Sequence, residues 1–263
     1  MVQKIPVDAP DDPRLRPFVG ARRHRGSGTA LLEGRRVIAR AAAADVSVSA
    51  VLATEAHAEA LAPHLAPDTP LYVATHAILA RTAGFRFHRG CLALAQVPAA
   101  TPFDPAVADA IEGPVCAPVG LADPSNVGAI LRTAYVLGFR AVLLDPRGAD
   151  PFDPRAIRAS AGCVFALRRF TAPRVDLALL KLARRGARVV AAETGGTPLS
   201  RVSRRPAPAV LAVGGEDRGL PSALVRGVET VEIPTAAADV SFNVHAAFAI
   251  VAHAFFGDVP VVA

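Results

Sequence analysis

Tryptophan is absent from this 263-residue chain, tyrosine occurs twice, methionine once, and lysine only at Lys4 and Lys181. An aromatic share of 5% leaves few large rings for the core of an antiparallel sandwich, whereas abundant Ala, Val and Leu suit helices laid on a parallel sheet. Cys91, Cys116 and Cys163 stand isolated, with neither C-x-x-C spacing nor clustered histidines, which argues against a disulfide framework or a zinc site; no metal is expected. No stretch approaches the roughly 20 apolar residues of a membrane span. Met1 to Pro10 carries Lys4, Asp8 and two prolines and lacks the apolar core of a signal peptide, so a cytoplasmic protein without membrane contact is expected. Neither G-x-G-x-x-G nor G-x-x-x-x-G-K-[ST] occurs, so neither a dinucleotide fold nor a P-loop is supported.

What the chain does have is apolar bulk and arginine. At 52% hydrophobic it can bury a large core, and its length fits two modest domains. A net charge of +6 and an isoelectric point near 10.0 point to polyanions. Arginine pairs with phosphate bidentately and stacks on bases, which suits RNA; an Ala- and Arg-rich composition is equally the mark of a GC-rich genome. Between Arg14 and Arg40 eight arginines face one acid, Glu33. Arg22, Arg23, Arg25, Arg35 and Arg36 are therefore the local candidates for phosphate contact, with a solvated basic loop as the alternative.

Residues 1 to about 30 are Pro-rich and then Arg- and Gly-rich, and read as a flexible or substrate-ordered arm. Periodicity then predicts a helix near Gly34 to Ala44, a strand over Val46 to Ala53, a helix over Glu55 to Leu61, a strand over Leu71 to Ala74, a helix over His76 to Ala83 and a strand over Cys91 to Val97. Pro98, Pro102 and Pro105 mark a linker over 98–108 without regular structure, separating an N-terminal domain, 1–97, from a second, 109–263. The second half alternates again, with strands at Val115 to Val119, Ala141 to Leu144, Arg188 to Ala192, Ala209 to Val213 and Thr230 to Ile233. Its helices are expected at Val127 to Leu137, Pro154 to Ser160, Val175 to Arg185, Ser222 to Arg226 and Asn243 to Phe256. The fold class that follows is α/β, a parallel sheet with helices on both faces preceded by a small α/β domain.

Three joints between strand-like and helix-like runs stand out, because open parallel sheets hold their ligands at such places. In the first, Asn126 reads as an N-cap, and Arg132 lies off the apolar face of its helix, one turn beyond Gly128, whose bare backbone would admit a ligand. In the second, the apolar run ending at Val213 meets Gly214 and Gly215, followed by Glu216, a capping carboxylate or a site residue. In the third, Ile233 and Pro234 end a strand ahead of Ser241, a natural N-cap, and Phe242, a lid or staple residue. The final helix is apolar around much of its circumference and must be buried in the core or against a second copy.

In this order, N-x-G-x-x-x-R at Asn126 to Arg132, G-x-E-x-x-G-L at Gly214 to Leu220, and I-P followed by S-x-N-V at Ser241 to Val244 resemble the TrmH/SpoU family of RNA 2′-O-ribose methyltransferases. Arg158 to Gly162 is similar to a link segment of that family, and Asp11 to Leu15 and Glu33-Gly34 to its RNA-binding extension. The resemblance implies a SPOUT-type catalytic domain with a deep C-terminal trefoil knot, a homodimer, and S-adenosylmethionine as cofactor. It implies cofactor contacts from Thr194, Gly195, Val213, Gly214, Gly215, Ile233, Pro234, Phe242 and Asn243. Arg132 would act on the ribose hydroxyl, with Asn126, Glu216, Ser241 and Asn243 shaping the site. Because a guanidinium stays protonated, orienting the hydroxyl and stabilising developing charge suits Arg132 better than proton abstraction. The N-terminal domain looks like kink-turn-binding ribosomal proteins, which tilts the substrate toward rRNA over tRNA. A non-catalytic ribosome-assembly factor on the same fold is the alternative. Asp217, Thr235 to Ala238 and His245 depart from the family pattern, His245 reading as a packing or dimer-contact residue or as a base.

Overall fold

The computed structural model describes residues 2–21, 28–85, 87–104, 113–204, 206–207, 209–215, 218–237 and 240–257. The strands, in chain order, are β1 (Lys4–Pro6), β2 (Thr29–Glu33), β3 (Val48–Ala53), β4 (Leu71–Val73), β5 (Cys91–Gln96), β6 (Thr101–Pro102), β7 (Val115–Val119), β8 (Ala141–Leu144), β9 (Arg168–Thr171), β10 (Val189–Pro198), β11 (Val210–Gly214) and β12 (Glu229–Glu232). The helices are α1 (Arg35–Ala43), α2 (Glu55–Leu61), α3 (His76–Ala83), α4 (Pro124–Val136), α5 (Pro154–Ala159), α6 (Cys163–Ala166), α7 (Val175–Arg184), α8 (Ser222–Gly227) and α9 (Val244–Phe256).

Two compact units result: Met1–Pro98 with Phe152–Ala166, and Ala99–Pro151 with Leu167–Ala263. The first holds a mixed sheet in the order β1-β4-β3-β5-β2, with β1 and β3 parallel to β4 and β5 antiparallel to β2 and β3. The expected arm is not an arm over Lys4–Phe18. There β1 pairs with β4, and a 3-10 helix over Pro13–Phe18 buries Leu15 and Phe18, its start capped by Asp12, which accepts the Arg14 N–H at 2.9 Å. Prolines with fixed φ open this segment without breaking it. Although 152–166 lies deep in the second half of the sequence, it packs in the first unit: Arg40 donates to the Ala161 carbonyl at 2.7 Å, and a Cβ on Gly162 would lie 3.3 Å from Val37 Cα.

In the second unit all seven strands run parallel in the order β12-β10-β11-β7-β8-β9-β6. Side chains of Val115, Ala117, Val119, Ala141, Leu143, Val189, Ala191, Val210 and Ala212 share one face, against Val175, Leu179 and Leu182 of α7 and Leu224 of α8. Alternation along the strands sends Cys116, Val142, Val190, Leu211 and Val213 to the other face, where α4 and α9 pack. Burial pushes the Cys116 thiol up to about 12, so it serves as a small apolar filler. Phe139 joins the helix layer, its ring 5.7 Å from Phe248 and 4.7 Å from Phe256. Part of the expected linker is strand: Thr101 and Pro102 pair with Phe170 and Thr171 at the edge of the sheet, where a proline lacking its N–H is tolerated.

Two predictions follow from this packing. Phe248, fully buried between the helix layer and the sheet, should cost about 3–5 kcal/mol when cut to Ala, read as a lowered midpoint in denaturant unfolding. Asp176 is buried, and the Arg174 guanidinium, donating to it at 3.0 and 2.7 Å, holds its carboxyl below the ordinary range. A depressed folded pKa adds stability above the unfolded value near 3.9 and loses it as pH falls through the folded value. Wild-type stability should therefore drop progressively below about pH 4, and Asp176→Asn should be less stable at neutral pH with a shallower acid limb.

Candidate active site

Gly214, Gly215, Ile233 and Pro234 lie at or just beyond the carboxyl ends of β11 and β12. Helix α4 starts one turn earlier than its apolar periodicity suggests, because Asp123 is the N-cap, accepting the Ser125 N–H at 3.0 Å, and Pro124 takes the first helical position. Asn126 is therefore inside the first turn, and its amide is left for a tertiary partner. That partner is Asn243, whose Nδ2 donates to Asn126 Oδ1 at 3.2 Å. Asn243, and not Ser241, caps α9, its Oδ1 accepting the His245 N–H at 3.0 Å. One side chain thus terminates α9 and ties it to α4. Ser241 and Phe242 are exposed just before this cap, Phe242 at 45%.

Arg132 projects from α4 into solvent. Gly128 is buried in α4. Glu216 lies outside the described residues, as do Arg22, Arg23 and Arg25. Arg35 and Arg36, in the first unit, are exposed on the opening turn of α1.

Beside the two asparagines, backbone replaces side chains. Gly215 and Gly219 form an isolated bridge, with the Gly219 N–H donating to the Gly215 carbonyl at 2.8 Å. A Cβ on Gly214 would overlap the Gly219 backbone, and one on Gly215 would sit 2.8 Å from the Gly120 carbonyl oxygen. Gly196 lies against β12, where a Cβ would meet Thr230 and Val231 backbone atoms at 2.9 Å. Gly195 is different: at φ +80° with nothing within 4 Å of its missing Cβ, it offers exposed main chain to a ligand. Val213 is buried below these loops, Ile233 half-buried beside them, and Thr194 and Pro234 exposed at their rim. A cradle of bare peptide fits a nucleoside-bearing cofactor held by main-chain contacts. Among the described residues no three His, Cys, Asp or Glu side chains are grouped to hold a metal.

Three carboxylates that sequence patterns did not single out hold the loops. Glu193 accepts the Leu220 N–H at 3.0 Å and the Thr194 N–H at 3.3 Å, and Glu232 accepts the Gly195 N–H at 3.0 Å. Asp145 accepts the Gly120 N–H at 3.1 Å while paired with Arg147 at 2.8 Å. An acid at a strand's end is too common to be told from a surface charge by spacing; only the fold aims it at an amide.

Comparison with known proteins follows this geometry. The SpoU rRNA Methylase family matches residues 115–253. An uncharacterized tRNA/rRNA methyltransferase of Mycobacterium tuberculosis is 32% identical over 259 residues, covering 92% of this chain and 88% of that protein. The crystal structure of an RNA 2′-O ribose methyltransferase superposes with a TM-score of 0.75 at 27% identity, covering 95% of this chain and 98% of that one. An AdoMet-bound rRNA methyltransferase from Sinorhizobium meliloti gives a TM-score of 0.79 at 20% identity, covering 96% and 97%, and shares the fold. Matched over its glycine loops and both asparagine-bearing helices, and aligned to a relative along nearly its whole length, the chain belongs to the SpoU rRNA Methylase family.

Proposed function

We propose that the chain transfers a methyl group from S-adenosylmethionine to a ribose 2′-hydroxyl of RNA, with ribosomal RNA as substrate. The observation that carries this reading is the Asn126–Asn243 bond, which joins α4, the helix of Arg132, to the start of α9. When bound, S-adenosylmethionine supplies an electrophilic methyl on a sulfonium, so the protein's share of the work is positioning and electrostatics. The Gly195, Gly214 and Gly215 backbone, with Thr194, Ile233, Pro234 and Phe242 around it, would hold the cofactor.

Arg132, permanently protonated, orients the 2′-hydroxyl or its neighbouring phosphate and favours the negative charge that grows on the oxygen as its proton leaves to solvent. Asn126 and Asn243 join the helix that presents it to α9, and Ser241 and Glu216 are assigned by the family motifs to shaping the site. Exposed Arg35 and Arg36 of the first unit, with Arg22, Arg23 and Arg25, contact RNA phosphates. The reading further includes a knotted C-terminal segment, cytoplasmic location and a homodimer; Val136 on α4 and Ile250 on α9, 67% and 38% exposed, are apolar surface that a second copy would cover.

The test is methyl transfer from labelled S-adenosylmethionine to separate pools of unmodified 23S rRNA, 16S rRNA and tRNA, followed by alkaline hydrolysis. Alkali-resistant dinucleotides from one rRNA pool are expected. Label in tRNA alone overturns the rRNA assignment, and base-linked label overturns ribose methylation. Cofactor binding without transfer to any pool points to a non-catalytic assembly factor.

Arg132→Ala should lower kcat by about 10²–10³-fold, the usual cost of removing one stabiliser of developing charge. Its affinity for S-adenosylhomocysteine, measured by calorimetry, should stay within about twofold, since Arg132 acts on RNA and not on the cofactor.

A further inference from the structure

The first turn of α9 touches α4 through a second hydrogen bond besides the asparagine pair. His245 Nε2 lies 3.0 Å from Thr133 Oγ1, next in sequence to Arg132. Asn126 and Thr133 are seven residues, about two turns and ~10 Å, apart on one face of α4, whereas Asn243 and His245 are neighbours on one turn of α9. A short stretch of α9 thus grips α4 at both ends of the segment that carries the arginine. The buried face of α4, Val127, Ile130, Leu131 and Ala134, seats the helix on the sheet; two bonds at separated heights restrain its residual shift and roll.

Rotation is the coordinate that matters for Arg132. Its side chain leaves the helix about 100° round from Thr133, so a small roll of α4 sweeps the guanidinium sideways by ångströms at the end of its long arm. Burial lowers the His245 pKa below its ordinary value, leaving a neutral ring at pH 7. In either neutral tautomer the pair can bond, with the threonine hydroxyl donating to Nε2 or accepting from Nε2–H. Where the hydroxyl donates to Nε2, its proton is unavailable for the bond to its own helix that a mid-helix threonine otherwise makes.

Resting on the methyltransferase reading above, we propose that His245 is a positioning residue for the reaction. Through Thr133 it sets the rotation of α4, and with it the place of Arg132 over the ribose hydroxyl, without touching substrate or cofactor.

The test compares Thr133→Val, which removes only the hydroxyl, with His245→Ala, His245→Gln and the Thr133→Val/His245→Ala double variant. Steady-state and single-turnover methylation are measured, alongside S-adenosylhomocysteine affinity by calorimetry and thermal midpoints. The expected result is about a tenfold loss of kcat in Thr133→Val and in His245→Ala, with KM for RNA and S-adenosylhomocysteine affinity within about twofold. The double variant should be no worse than either single one, as expected for two partners of one bond. His245→Gln, whose amide reaches the position of Nε2, should recover most of the rate. Wild-type kcat in Thr133→Val, additive losses in the double variant, or cofactor affinity falling in parallel with rate would each overturn the positioning role alone. A wild-type chain that binds S-adenosylhomocysteine but methylates no RNA would overturn the methyltransferase reading and the role of His245 with it.

Discussion

Everything at the carboxyl edge of the large sheet depends on backbone lying directly on backbone. Gly214 lies against Gly219, Gly215 against the Gly120 carbonyl, and Gly196 of β10 against Val231 of β12, approaches that leave no room for a Cβ. Such contacts are possible only where the Cβ is missing, and each glycine costs conformational entropy that the rest of the fold must offset. Offsetting it is the task of the doubly covered parallel core beneath. Strands buried on both faces anchor the ends of these loops.

A bare-backbone site needs its amides kept in place, and here acids do that work. Glu193, Glu232 and Asp145 each accept a loop N–H, and Asp145 and Asp176 are themselves steadied by Arg147 and Arg174. Charge-assisted bonds of this kind are stronger than neutral ones and fix direction as well as distance. The helical side of the site is built differently. Neutral amides and an imidazole join α9 to α4.

Much of this fold could be read from the chain because its central strands are unbroken apolar runs. Val115–Val119 and Val210–Gly214 are covered on both sides, and burial on both sides writes itself into sequence as continuous hydrophobicity. Where one side is open the signal fades. Arg168–Thr171 is polar because it lies toward the sheet's edge, with Phe170 as its one buried side chain, and Lys4–Pro6 is too short for any period to show. At the site, the joints were legible through their glycines, but the capping roles were not. Asp123 takes the position expected of Asn126 and Asn243 that expected of Ser241, because several good capping residues stand in a row and only tertiary contact decides among them. The Asn126–Asn243 and Thr133–His245 pairs span more than a hundred residues and leave no local trace at all.

The two-residue strand at Thr101–Pro102 has a consequence for how copies of this protein can meet. A parallel sheet ends in two rows of unpaired peptide groups, and such rows invite a foreign strand to continue the ladder. On one border the outermost strand is a pair of residues that includes a proline, too short and too poor in donors to template another. On the other, Glu229 and Glu232 bracket the outermost strand, Glu229 paired with Arg188 at 2.9 Å and Glu232 accepting the Gly195 N–H. The Thr101–Pro102 border is thereby a poor template for extending the sheet into another chain.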